Sequence, residues 1–178
     1  KFAAQHIREA FPDTDIEFIN FGISGNRTDQ LFDRLYPDAI AFDPDIISIL
    51  IGINDVWHRH GASNIATTDA QIETNYRAIL ERIKRETNAK IIMLAPFLLD
   101  DEAKESWRGE VDRVIAIVRE LADEFADVYV PLDEIFEGAM KTQPEPLYYS
   151  GDGVHPNANG AEFIGRHLAE TFVGIIEK

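Results

Sequence analysis

The chain contains no cysteine. Disulfides and thiol catalysis are therefore excluded. The absence says nothing about compartment, because it suits cytoplasm and export equally. Basic residues are also scarce: 17 stand against 32 acidic ones, a formal charge of −15. Such a surface repels phosphate backbones and anionic headgroups, so nucleic acid is not an expected partner. A neutral or cationic substrate is not repelled, and the acidity also serves solubility. No apolar run approaches the roughly 18–20 residues that span a bilayer, so no membrane span is expected. No signal-peptide pattern is visible. The chain opens with Lys1-Phe2-Ala3-Ala4 in what reads as the middle of a helix. On this footing a cytoplasmic protein is expected ahead of a secreted one.

What is present suits a single domain over residues 1–178. Hydrophobic residues make up 45% and charged residues 28% of the 178, enough for a real core. There is no internal repeat and no low-complexity stretch. Four segments read as strands: 15–23, 45–53, 90–97 and 127–132. The second is nearly continuously apolar, as a strand buried on both faces is. Helical stripes fill the gaps. Ile72, Tyr76, Ile79, Leu80 and Ile83 form one. Val111, Val114, Ile115, Val118, Leu121, Ala122 and Phe125 form another, and Ile164, Leu168, Phe172 and Ile175 a third. Leu31, Phe32, Leu35 and Tyr36 start a fourth that Pro37 should kink or restart. Phe2, His6, Ile7 and Phe11 suggest a helix under way at the first residue. Alternating strands and helices imply a parallel sheet covered on both faces, with function at the carboxyl ends of its strands.

Three segments fall where that rule puts a site: Asn20–Asn26, Ile51–Asp55 and Asp152–Pro156. Asp152 and His155, three apart, can meet in one turn of a loop. A carboxylate on one ring nitrogen holds an imidazole base in a single tautomer. Gly153 permits the bend and Pro156 fixes the exit. Taken alone, the pair also fits a capping Asp beside a surface His. Gly25 offers an unshielded N–H and Asn54 a side-chain amide, two donors suited to an oxyanion hole. Each also fits a plain turn or cap. Ser24 lies in Gly-Ile-Ser-Gly, one position short of a nucleophile elbow. His58 and His60 invite a metal reading, but they lack a clear third ligand and read as solvated in a loop. Trp57 and Tyr149, close to the motifs, are candidates to line a substrate pocket.

Together these residues match one pattern in order and spacing, with about 30 residues from Gly25 to Asn54 and about 100 more to His155. The chain resembles the SGNH hydrolases, also called the GDSL family of esterases and lipases. The strings Gly-Ile-Ser-Gly-Asn, Ile-Gly-Ile-Asn-Asp-Val-Trp and Asp-Gly-Val-His-Pro look most like its acetylxylan esterase and carbohydrate acetylesterase branch. The resemblance implies a three-layer α/β/α, flavodoxin-like fold with strand order 2-1-3-4-5. It implies a serine esterase working through an acyl-enzyme. Asp152 and His155 would be catalytic, and Gly25 and Asn54 would form the oxyanion hole. Carbohydrate acetyl esters, as small molecules or oligosaccharides, would be the substrates. No cofactor or metal is implied. A lysophospholipase, lipase or thioesterase is the alternative within the family, and a non-catalytic α/β binding domain the alternative outside it. Self-association into a homo-oligomer is left open.

One part of the pattern is absent. The family's first block, Gly-Asp-Ser, carries the nucleophile, and no Gly-Asp-Ser occurs in residues 1–178. In the implied order its strand lies between residues 15–23 and 45–53. Without it two buried edges would carry unpaired N–H and C=O groups, at about 1–3 kcal/mol each. The native polypeptide is therefore expected to extend upstream by a strand, a loop and part of a helix. Residues 1–178 alone are expected to be inactive.

Overall fold

The computed structural model describes residues 1–61, 66–99, 101–143, 145 and 147–177. Three strands form a parallel sheet: β1 (Ile46–Ile49), β2 (Lys90–Leu94) and β3 (Val128–Val130). Their spatial order is β1-β2-β3, with Ile46 beside Lys90 and Ile92 beside Val128. These are the third to fifth places of the expected order. The central strand is the most apolar, and Ile91 through Leu94 are buried.

Alternation along the strands sends side chains into two cores. Ile49, Ile91 and Met93 join one cluster, packed by helices α2 (Thr28–Asp38), α4 (Asp69–Glu86) and α5 (Arg108–Phe125). Ile92, Leu94 and Val130 join the other, under α6 (Leu132–Met140) and α7 (Ala158–Ile176). The opening helix α1 (Phe2–Ala10) lies against α7. The long helices form where their stripes predict. On α4, Ile72, Tyr76, Ile79, Leu80 and Ile83 are all buried. Thr68 and Gln71 close its start in a reciprocal capping box. On α2, Pro37 falls in the last turn and the helix stops one residue later, so the ring ends it rather than kinking its middle.

Three expectations need correction. Residues 15–23 form no strand. A strand is a property of a pair, and this segment has no ladder partner among the described residues. Nor does it pair with residues 46–52, in keeping with an order that puts another strand between them. Ile19, Phe21 and Ile23 are consequently exposed, as is Leu50 just past β1. Second, the strand expected over 45–53 ends at Ile49, and the residues from Ile53 onward turn away from it. They start α3 (Ile53–His60), a helix not anticipated from the pattern. His58 and His60 therefore stand on a helix rather than in a loop. Third, α6 forms where only the end of a strand was expected. It is anchored by buried Leu132 and Phe136.

Candidate active site

The Asp152–His155 turn is built from its own backbone. One carboxylate oxygen of Asp152 accepts the N–H groups of Val154 at 3.1 Å and His155 at 2.8 Å. The other lies 2.7 Å from His155 Nδ1. With its proton on Nδ1, the ring presents Nε2 outward, and among the described residues nothing hydrogen-bonds there. Buried Ser150 donates to the His155 carbonyl at 2.8 Å and closes the turn from behind. Partial burial raises the tendency of Asp152 to hold its proton. The His155 ring and the two backbone N–H groups outweigh it, leaving the carboxyl well below the usual range. Asp152 is thus an anion anchoring an imidazole.

The turn rests on the segment after β2. Leu99 N–H donates to the Gly153 carbonyl at 2.8 Å. Gly153 has φ +78°, and a Cβ there would sit 2.8 Å from the Leu99 carbonyl oxygen. Only glycine fits this approach.

Helix α3 connects the other parts. Asn54, Trp57 and His58 follow the i, i+3, i+4 spacing of one helix face. The Asn54 amide donates to the Asn26 carbonyl at 3.2 Å. His58 Nε2 lies 3.2 Å from the Gly25 carbonyl. Trp57 meets the His155 ring edge-on, with centroids 5.4 Å apart. One helix of eight residues therefore touches both the Gly25–Asn26 loop and the base. One turn of helix, about 5 Å, separates Asn54 from Trp57.

The Gly25 loop is held from several sides. Gly25 has φ +81°, and no atom crowds the position its Cβ would take. Arg34 donates to the Asn26 side-chain oxygen at 2.7 Å and to the Phe21 carbonyl at 2.8 Å. Behind the loop, fully buried Asp55 accepts Thr28 Oγ1 at 2.8 Å and Thr28 N–H at 3.1 Å. Burial pushes the Asp55 carboxyl up, with the Thr28 bonds opposing.

Gly25, Asn54, Trp57, Asp152 and His155 are thus joined through direct contacts and α3. Tyr149 is not among them. Its ring packs against Phe136 and Phe163, 5.4 and 5.0 Å away, in the core under α6 and α7. The half-buried ring packs onto that apolar layer, away from the contacts that join the other five residues. Ser24 makes no hydrogen bond to His155 among the described residues. His60 stacks on Trp107 at 4.9 Å and meets Glu110 at 2.9 Å. Among the described residues no group of three or more His, Asp or Glu side chains is placed to hold a metal. Sequence reasoning passed over Asp55 and Lys104, and weighed His58 only as a metal ligand. Reading 53–60 as a helix would have put Asn54 and His58 on one face, but its single buried aliphatic, Val56, gives no stripe.

The parallel α/β/α fold thus brings an anchored imidazole, the Gly25 loop and the Asn54 amide together around α3. The chain matches the GDSL-like lipase/acylhydrolase family over residues 1–163, and it belongs to that family. It is a carboxylic ester hydrolase. It is 30% identical over 163 residues to an acetylxylan esterase of Geobacillus stearothermophilus, covering 90% of this chain and 74% of that protein. A multidomain esterase of Ruminococcus flavefaciens is 26% identical over 138 residues, 76% of this chain and 16% of that protein. A crystal structure of a putative GDSL-like lipase from Parabacteroides merdae superposes with a TM-score of 0.89 at 35% identity, covering 95% of this chain and 78% of that one.

Proposed function

We propose that this chain supplies the base, its anchor and the oxyanion donors of a serine esterase that releases acetate from carbohydrate esters. The observation that carries the reading is the Asp152–His155 pair, closed at 2.7 Å with Nε2 directed outward beside Trp57. The nucleophilic serine enters on a strand outside residues 1–178, paired with the open edge of β1. Its hydroxyl attacks the ester carbonyl and passes its proton to His155 Nε2. Asp152 stabilises the imidazolium. The Gly25 N–H and the second N–H of the Asn54 amide hold the tetrahedral oxyanion. His155 then protonates the leaving alcohol, and water resolves the acyl-enzyme. Trp57 borders the cleft.

The test uses the full-length polypeptide and a series of 4-nitrophenyl esters. We expect turnover of the acetate, a steep loss of rate beyond two carbons, and labelling by a serine-directed phosphonate. A rate that rises with acyl length indicates a lipase or thioesterase instead. Absence of both turnover and labelling indicates a binding domain.

A further inference from the structure

Lys104 is the one lysine in the described core, at 8% exposure. Burying an ammonium is costly unless its donors are all engaged. Here they are. Nζ donates to Asp101 Oδ2 at 2.5 Å and to the main-chain carbonyl of Asp152 at 2.7 Å. Its remaining side faces two indoles, 5.2 Å from the centroid of Trp57 and 5.7 Å from that of Trp107. A cation over an indole face is attracted by the ring quadrupole. Trp57 in turn meets Trp107 at 5.1 Å and His155 at 5.4 Å.

We infer that Lys104 is a positioning residue for the Asp152–His155 pair. Asp101 alone would satisfy the charge of Lys104, so the bond to Asp152 is the informative one. It fixes the peptide of the residue whose carboxylate orients the base. Leu99 anchors the next carbonyl, that of Gly153, at 2.8 Å. Two successive carbonyls of the turn are therefore tied to Leu99 and Lys104, which fixes the backbone from which the Asp152 side chain reaches His155. The same ammonium holds Trp57, which packs against the imidazole. Lys104 touches neither substrate nor the reacting proton. It sets both surfaces that hold the His155 ring.

This inference rests on the esterase reading for its effect on rate, but its geometry is testable without turnover. The readout is the downfield proton resonance of His155 Nδ1–H, recorded on the full-length polypeptide. In Lys104→Met the resonance should broaden or vanish, because the anchor carboxylate is free to turn, and Lys104→Arg should restore it. In the full-length polypeptide Lys104→Met should lower kcat about 10–100-fold with KM within about threefold, as misplacement of a catalytic group does. An unchanged resonance and kcat in Lys104→Met would overturn the inference. So would equal losses in the Met and Arg variants, which point to packing alone. If Lys104→Met does not fold, the wild-type chain decides. Its Lys104 ammonium protons should exchange slowly and shift upfield over the indoles, and a fast-exchanging, unshifted ammonium overturns the geometry. A wild-type polypeptide without esterase activity overturns the esterase reading and leaves the resonance test standing.

Discussion

Two glycines with positive φ separate conformational strain from steric overlap. Gly25 and Gly153 have φ of +81° and +78°. At Gly25 an added methyl meets nothing within 4 Å, whereas at Gly153 it meets the Leu99 carbonyl oxygen at 2.8 Å. Both alanine variants carry the backbone cost, about 1–3 kcal/mol. Only Gly153→Ala adds displacement of the turn from Leu99. Urea unfolding of residues 1–178 should therefore rank Gly153→Ala clearly below Gly25→Ala, and equal midpoints would show that the turn relaxes freely. Asn54 tests the chemistry at the same scale. One of its amide protons is engaged by Asn26, at 3.2 Å, which fixes the direction of the other. Asn54→Ala should cost roughly 10²–10³ in kcat of the full-length polypeptide. An unchanged rate removes it from the oxyanion hole. These residues were legible because their chemistry is local: Asp, His and Gly within four positions can build a turn unaided. Lys104 was not legible. A lysine among Asp100, Asp101, Glu102 and Glu105 reads as solvated surface, and only the fold brings Asp152 onto it.

Elements divide the same way. Helices α4, α5 and α7, at 18, 18 and 19 residues, repeat their apolar positions often enough to show a period. Helices α3 and α6 have 8 and 9 residues and bury two or fewer apolar side chains each, too few to show one. Residues 15–23 are the instructive failure. Their composition favours a strand, yet pairing is supplied by a neighbour and not by the segment itself. The exposed Ile19, Phe21 and Ile23 on one side, and Leu50 on the other, are what a strand inserted against β1 would cover. Amide exchange checks this. In residues 1–178, amides of 90–94 should exchange slowly and those of 16–23 fast. In the full-length polypeptide 16–23 should slow by at least about tenfold, the effect of roughly 1.4 kcal/mol of added protection. Unchanged exchange there would leave β1 as a true sheet edge and remove the proposed route for the nucleophile.

Over the whole molecule, two sets of carboxyls respond to acid in opposite directions. Asp29, Asp69, Asp101, Glu110, Asp127 and Asp152 have carboxyls held below their ordinary range. For Asp69 burial works against ionisation, and the Arg113 and Arg59 guanidinium groups more than offset it. A depressed carboxyl contributes stability that is fully present above its unfolded pKa, near 4, and is lost as pH falls toward the folded value. These groups hold the fold constant from neutral pH down to about 4–5 and undermine it below. Asp55 and Asp133 are raised, chiefly by burial. The folded state binds their protons more readily than the unfolded state does, so they add stability as pH falls through their folded values. Acidification toward the sequence pI of about 4.6 also relieves the repulsion of 15 excess negative charges. Thermal unfolding should therefore show Tm flat or rising from pH 7.5 to about 5, then falling steeply below about 4. A Tm that falls steadily between pH 7.5 and 5 would show that neither the raised carboxyls of Asp55 and Asp133 nor the relieved repulsion offsets the loss of the depressed carboxylates.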